Sequence, residues 1–200
     1  MPIGLTIEHN EFKKPLENVP IAYLQLDTGV DPIYRNIYWD DTITEMLPFF
    51  IKQRINLIMQ QSNDDTTPIN LYLNSKGGEV YQAFGVIDVM KTATMPINVI
   101  GTGCIMSAAV LIIMSATGKK LAYNSTRFMV HQVWGGGEGK LADLEITAAE
   151  MKLLQNTVFD IFAKETKQPD IKFWRKFGDK SDKYFDAKYA KELGIIDDLC

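Results

Sequence analysis

The sequence predicts an α/β fold built from consecutive strand and helix units around a largely parallel sheet. Residues 69–75 have the pattern of a buried strand, and a glycine pair leads from them into a helical stretch over about 79–92. Residues 97–100, two further glycines and the apolar run at 106–116 repeat that order. Two consecutive units of this kind imply parallel strands joined by right-handed crossover connections.

A long amphipathic helix is the third feature that defines the predicted fold. Apolar residues recur at helical spacing from Leu141 to about Lys167, a length of about seven turns. They include Leu144, Met151, Leu154, Val158 and Ile161. A helix of this length extends beyond a 200-residue domain, and its apolar stripe is a large exposed patch unless a partner covers it. We therefore expect the protein to self-associate.

Weaker patterns precede the first unit. The runs IAYLQL at 21–26 and RNIYW at 35–39 suit strands. Thr42 and Glu45 have the spacing of a capping box, so we expect a helix to begin there. Pro48 either kinks that helix or marks a later start.

Weaker patterns also follow the second unit. Strands are expected at 121–123 and 127–130, on either side of an Asn-Ser-Thr turn. Beyond the long helix we expect a short helix at about 170–177 and a last helix from Asp186 to Leu193, which a glycine ends. A polar turn separates these two helices.

Composition excludes several classes of protein. The formal charge is −4 and the pI about 5.2, and the cationic residues are scattered, so a nucleic-acid partner is not expected. The N-terminus lacks a signal-peptide pattern, and no apolar run approaches the roughly 18 residues of a membrane helix. We expect a soluble, cytoplasmic protein with one domain, preceded by an irregular arm at residues 1–20.

The two cysteines do not indicate a structural site. Cys104 and Cys200 have neither the spacing of a disulfide framework nor that of zinc ligands, so we expect no metal. Cys104 is expected to be a small buried hydrophobe rather than a redox switch.

Few residues are candidates for acid/base chemistry. Of the two histidines, His9 lies in the irregular arm, whereas His131 follows an expected strand and precedes a glycine-rich loop. Such a position lets a side chain reach a cleft, although a satisfied core histidine is an equal alternative. Asp179, Asp182 and Asp186 lie close together near the C-terminal end, and each alone suits a solvated turn or a cap.

Ser107 stands at the start of the most apolar helix, where free backbone N–H groups and the positive end of the helix dipole point. That place suits a nucleophile whose attack creates an oxyanion, but a serine there is more often a plain N-cap. Gly77 and Gly78 follow a buried strand and allow backbone N–H groups to face a ligand. An ordinary turn between strand and helix has the same pattern.

Several motifs, in one order, resemble the ClpP family of serine peptidases. LYLNSKGGEVYQAFGVIDVM resembles the family's Y-x-N-S-P-G-G segment, GCIMSAAVLI its G-x-x-x-S stretch, and RFMVHQVWGGGEG its M-x-H-Q-P-x-x-G stretch. The ending SDKYFDAKYAKELGIID resembles R-D-x-F-x-S-A-x-E-A-x-x-Y-G-L-I-D. The likeness covers about Ile21 to Asp198. It implies a ClpP/crotonase-like spiral of repeated β-β-α units with a protruding handle helix.

The resemblance assigns a role to each candidate. It implies that Ser107 is the nucleophile, His131 the general base and Asp182 the residue that orients the base, with Asp179 as the second choice for that role. The oxyanion hole implied by the family consists of the backbone N–H groups of Gly77 and Ala108. The resemblance also implies that four further residues bind the peptide substrate, namely Gly78, Gln132, Gly135 and Gly136.

The resemblance also implies an assembly. Residues 1–20 correspond to an axial gate, residues 21–200 to the peptidase domain, and about 141–167 to the handle helix that joins two stacked rings of seven subunits. The implied partners are an AAA+ ATPase unfoldase of the ClpX/ClpA type and peptide substrates, without a cofactor, nucleic acid or membrane.

Four departures from the family pattern and two rival functions accompany this resemblance. Ala108 and Ile105 vary positions that are commonly Met and Ala in the family. Lys76 and Val133 stand where the family commonly has proline, which loosens two turns beside the substrate. One rival is a crotonase-like acyl-CoA hydratase or isomerase, which looks similar in fold but tends to use Glu or Asp as its acid or base. The other is an inactive ring subunit kept for assembly, although such homologues usually lack a triad residue.

Overall fold

The computed structural model describes residues 28–61, 66–178 and 181–200. The arm expected at 1–20, which contains His9, and the strand expected at 21–26 lie outside these residues.

The described residues form strands and helices in alternation. The strands are β1 (Val30–Asp31), β2 (Asn36–Asp40), β3 (Ile69–Ser75), β4 (Ile97–Met106), β5 (Lys120–Ala122), β6 (Arg127–Val130), β7 (Lys183–Asp186) and β8 (Asp198–Leu199). The helices are α1 (Leu47–Gln61), α2 (Val80–Thr92), α3 (Ala108–Met114), α4 (Leu141–Glu165), α5 (Ile171–Phe177) and α6 (Ala187–Leu193).

The strands join in one mostly parallel sheet. Its order is β1-β2-β3-β4-β5-β8, with β6 attached to β4 and β7 attached to β6. The pairs β2/β3, β3/β4, β4/β5, β4/β6 and β5/β8 are parallel, and only β1/β2 and β6/β7 are antiparallel among the described strands. The predicted α/β class with a largely parallel sheet is therefore confirmed.

The core lies between this sheet and the helices. β3 buries every second residue from Ile69 to Ser75, so that one face of the strand packs inward. α3 is buried along its whole length, because it lies against α2 on one side and α4 on another while also contacting the sheet. A helix that is apolar all round needs such a position.

β4 is longer than the strand predicted at 97–100, and it serves two parts of the sheet. Its residues Val99–Gly101 pair with β5, whereas Cys104–Met106 pair with β6. Gly103 lies between the two parts with φ +53, and a Cβ there would lie 2.6 Å from the Asn74 Oδ1. The same oxygen accepts a hydrogen bond from the Cys104 N–H at 2.9 Å, which holds the change of direction in place.

The predicted start of α1 at a Thr42–Glu45 capping box is wrong. The N–H of Ile43 donates to the Gly77 carbonyl at 2.9 Å, and the Glu79 N–H donates to the Ile43 carbonyl at 3.0 Å. This short parallel bridge keeps the chain extended, so the helix begins at Leu47. Proline is tolerated in the first turn of a helix, where its missing N–H has no intrahelical partner, which explains Pro48.

α4 agrees with the long helix predicted from Leu141 to about Lys167, since it spans Leu141–Glu165. One face packs against α3 and α5. On the opposite side Ile146 and Leu153 are 69% and 62% exposed, so an apolar stripe of the helix remains uncovered. None of the helices in the described part of the chain combines the length and apolar character that a membrane crossing requires.

Candidate active site

Ser107 connects β4 to α3 in a strained backbone conformation. Its φ of 53° and ψ of −125° lie in a region that residues with a Cβ rarely adopt. The Ser107 side chain makes no capping hydrogen bond to α3, so the interpretation as a plain N-cap is wrong. The Ser107 N–H donates to the Met129 carbonyl at 2.8 Å and thereby holds the turn against β6.

The Ser107 hydroxyl contacts the ring of His131. The Oγ atom lies 2.6 Å from Nε2, and the two residues are separated by 24 positions in the sequence. His131 is the first residue beyond β6 and is partly exposed, so it is not a core histidine. When Nε2 is unprotonated, the hydroxyl donates to it and the ring can take the hydroxyl proton. The structure therefore brings together the predicted nucleophile and the predicted base.

Asp182 approaches His131 through a strand that the sequence pattern did not predict. β7 pairs antiparallel with β6, and Lys183 lies opposite Val130. If this register is extended by one residue, Asp182 lies opposite His131. The two residues also line a shared recess, which is distinct from the recess in front of Ser107. The structure describes both side chains and records no hydrogen bond between them. Asp179 lies outside the described residues.

Aromatic packing fixes β7 against its neighbours. Phe185 stacks on Phe128 of β6 at 5.7 Å between ring centroids, and it meets Phe177 of α5 edge-on at 5.8 Å. Trp174, which is 1% exposed, packs edge-on against the same Phe177 ring. Asp186 accepts a hydrogen bond from the Tyr189 N–H and caps α6, which leaves it outside the site.

Gly77 lies directly against the Ser107 turn and leaves space for it. Its N–H donates to the Ser75 Oγ at 3.1 Å. A Cβ on Gly77 would lie 2.6 Å from both the Ser107 Cβ and the Met106 carbonyl oxygen. The expected role of Gly77 as an oxyanion donor stays a prediction, and in this structure the hydroxyl of Ser75 accepts its N–H.

Gly78 and Ala108 are two backbone N–H donors at the recess in front of Ser107. Both residues line the recess that contains Ser107, and among the described residues neither N–H has a hydrogen-bond acceptor. Ala108 is the first residue of α3, where N–H groups lack intrahelical partners. Two free backbone N–H groups at one recess are the pattern of an oxyanion hole. Gly78 is therefore an alternative to Gly77, the donor predicted from the sequence.

The recess in front of Ser107 has a volume of about 290 Å³. Its mostly apolar walls include Leu111, Met129, Val158 and Phe162. Gln132 also lines it, as expected for a substrate-binding residue. Gly135 and Gly136 do not line it and belong to the exposed, irregular segment that leads from β6 to α4.

Cys104 is not an activated nucleophile. Burial raises the pKa of its thiol above the usual value, although the nearby Lys76 charge opposes that shift. The thiol is therefore protonated at neutral pH, and the expected role of Cys104 as a small hydrophobe agrees with its half-buried position.

Gln155 of α4 is a functional candidate that the sequence patterns missed. Its Oε1 accepts a hydrogen bond from the Val133 N–H at 2.6 Å, two residues beyond His131. Its Nε2 is buried without a hydrogen-bond partner among the described residues. The signal that could have revealed Gln155 is Val133 itself, since proline at that position has no N–H to donate.

We predict that Gly77→Ala destabilises the protein. Gly77 has φ +97 and no space for a Cβ, so the strained Ser107 turn must shift to accommodate the methyl group. Thermal unfolding should show a loss of about 1–3 kcal/mol or more. Gly136→Ala is the matched control, because its Cβ would have no atom within 4 Å. Equal melting temperatures for the two variants would contradict this account of the turn.

The Clp protease family model matches residues 35–200 of the chain. The chain is also similar to ATP-dependent Clp protease proteolytic subunits, and each match covers 144 residues, or 72% of this chain. The identity is 36% to the subunit of Bacteroides thetaiotaomicron, 35% to that of Bacteroides fragilis and 33% to that of Deinococcus radiodurans. The matched segments cover 64%, 69% and 70% of those proteins, so the chain spans slightly less than two thirds of the first. The chain belongs to the Clp protease family.

Proposed function

We propose that the chain is a serine endopeptidase subunit of an ATP-dependent Clp protease and that it cleaves unfolded polypeptides. The observation that carries this proposal is the 2.6 Å contact between the Ser107 Oγ and the His131 Nε2. It is supported by the N–H groups of Gly78 and Ala108, which border the same recess. A nucleophile, its base and two oxyanion donors are the minimum set for acyl transfer by a serine hydrolase.

In the first step, His131 takes the hydroxyl proton while the Ser107 Oγ attacks the carbonyl carbon of the scissile peptide. The carbonyl oxygen becomes an oxyanion and accepts hydrogen bonds from the N–H groups of Gly78 and Ala108. A donor of this kind contributes about 3–4 kcal/mol to transition-state stabilisation. His131 then gives its proton to the leaving amine, and an acyl-enzyme on Ser107 remains.

In the second step, His131 activates a water molecule that hydrolyses the acyl-enzyme, and the proton returns to Ser107. Asp182 accepts a hydrogen bond from the Nδ1–H of His131 and so keeps Nε2 free to act as the base. The β6/β7 register supports this role for Asp182. Catalytic hydrogen bonds are often long without substrate, which is consistent with the open Asp182–His131 pair.

The segment after β6 suits the binding of an extended peptide. Gln132, Gly135 and Gly136 lie in a stretch without regular structure, where backbone groups can pair with a substrate strand. Gly78 borders the recess from the other side. The apolar walls of the recess favour an apolar substrate side chain next to the cleaved bond.

The proposed assembly consists of two stacked rings of seven subunits with a cytoplasmic AAA+ unfoldase of the ClpX/ClpA type. The exposed apolar stripe of α4, defined by Ile146 and Leu153, supports contact between the rings. Residues 1–20 are proposed to line the axial pore. The ATPase spends the ATP, so this subunit requires no cofactor for peptide hydrolysis.

Replacing the nucleophile tests the activity directly. Ser107→Ala should lower hydrolysis of a fluorogenic peptide by at least about 10³-fold and abolish labelling by a fluorophosphonate probe. Ser125→Ala, in the exposed turn between β5 and β6, is the control for removal of a hydroxyl and should keep both signals. Peptidase activity that survives in Ser107→Ala would exclude the proposed mechanism. An assembled wild-type protein that the probe does not label would favour an inactive subunit.

The identity of the orienting carboxylate is tested by two matched amide substitutions. Asp182→Asn should reduce kcat by about 10²–10⁴-fold, because the amide allows the unproductive His131 tautomer. Asp179→Asn should leave kcat within about twofold, because the proposed mechanism gives the orienting role to Asp182. A larger loss of kcat in Asp179→Asn than in Asp182→Asn would reverse the assignment.

The apolar stripe of α4 should determine the assembly. Native mass spectrometry of the wild type should give about fourteen times the chain mass of 22.6 kDa. Ile146→Glu should halve that mass, because a buried unpaired carboxylate opposes contact between the rings. Lys152→Glu, on the same helix but away from the stripe, should retain the full mass. A full-size Ile146→Glu particle would exclude the stripe from the contact.

A further inference from the structure

The recess in front of Ser107 contains one permanently charged side chain. Among the described residues that line it, only Lys76 carries a full charge, whereas the others are apolar, polar or, in the case of His131, the proposed base. Lys76 is exposed and stands immediately before the glycine pair. It lies two residues before Gly78, whose N–H is proposed to bind the oxygen of the scissile carbonyl.

The ammonium group of Lys76 is available to a ligand. Among the salt bridges between described residues, none involves Lys76. Lys76 also borders a second recess, which contains Asp40 and Asp41. There the Asp40 Oδ1 accepts a hydrogen bond from the Asn74 Nδ2 at 2.7 Å, and the Asp41 Oδ1 accepts one from the Thr42 N–H at 2.6 Å.

The position of this charge limits which part of a substrate it can reach. Gly78 and Lys76 are near neighbours in the chain, so an ammonium on a flexible four-carbon stem reaches substrate residues close to the scissile carbonyl. The recess is mostly apolar, and its other described polar lining residues, Ser107, His131 and Gln132, carry no carboxylate that would pair with the Lys76 charge. Asp40 and Asp41 line the second recess with Lys76, but neither forms an ion pair with it.

We infer that Lys76 makes this active site selective for peptides that carry an Asp or Glu side chain within two residues of the cleaved bond. The inference rests on the proposed peptidase function and adds the substrate class to it. The carboxylate pairs with the Lys76 ammonium while an apolar neighbour occupies the recess. An exposed ion pair of this kind changes kcat/KM about two- to fivefold, and salt weakens it.

The test compares peptides that differ only by Glu or Gln at each position from the second residue before to the second residue after the cleaved bond. Assembled wild-type protein should cleave at least one Glu peptide about two- to fivefold faster, in kcat/KM, than its Gln counterpart. The preference should disappear in Lys76→Met and reverse in Lys76→Glu. It should also shrink at about 1 M salt, where the Debye length is about 3 Å.

Lys91→Glu is the control for net charge, because Lys91 lies in the last turn of α2, about 17 Å along the helix from its start near the site. This variant should keep the wild-type ratio between Glu and Gln peptides. Equal kcat/KM for every peptide pair in the wild type, or an unchanged preference in Lys76→Met, would overturn the inference.

A binding measurement separates this inference from the proposed function. Fluorescence anisotropy on Ser107→Ala, with the same labelled peptides, should show tighter binding of the preferred Glu peptide by about two- to fivefold. Equal Kd values for each pair would overturn the role of Lys76 whether or not the wild type hydrolyses peptides. If Ser107→Ala binds the Glu peptide more tightly than its Gln counterpart but the wild type hydrolyses neither, the peptidase proposal is overturned and the charge selectivity stands.

Discussion

The close approach between the Gly77 backbone and the turn at Ser107 is the constraint on which the site depends. Ser107 adopts a positive φ, and no side chain fits between it and Gly77. The strain, of order 1–3 kcal/mol, persists only because the surroundings hold it. Backbone hydrogen bonds to Met129 from one side and to Ile43 from the other fix the two turns against each other. The residues that follow these two turn positions, Gly78 and Ala108, line the recess together with Ser107.

The division of β4 explains why three distant chain segments meet at this turn. Its first half belongs to the main sheet, and its second half carries the chain to β6, so the strand ends beside the residue that follows β6. That residue is His131, and β7 adds Asp182 from the other edge of β6. Glycine at position 103 permits the change of direction, because its φ of +53 and the Asn74 amide leave no room for a side chain. The geometry of the site thus follows from the path of one strand.

Hydrophobic periodicity predicted the helices and strands that are long or strongly apolar. It failed for short strands such as β7, which form because their backbone pairs with a neighbouring strand. α4 and α3 carry many turns or an unbroken apolar run, so their patterns are unambiguous, whereas β1, β7 and β8 have two to four residues each. Ser107 and His131 were predictable from residue type and family resemblance together. The choice of Gly78 over Gly77 was not, because it depends on which N–H the Ser75 hydroxyl engages. Gln155 was also missed, since glutamine on a long helix has no distinctive spacing.

The hydrogen bond between Val133 and Gln155 links α4 to the segment that follows His131, the proposed base. Gln155 lies on α4, and Val133 is two residues beyond His131, so a displacement of the helix moves the acceptor that holds this segment. The buried Gln155 Nε2 lacks a partner among the described residues, and such a group costs roughly 1–3 kcal/mol. The strength of the link therefore depends on how well α4 is packed. In the proposed assembly, a neighbour that covers the apolar stripe of α4 restrains the helix, and through the Val133–Gln155 hydrogen bond it also restrains the segment that follows His131.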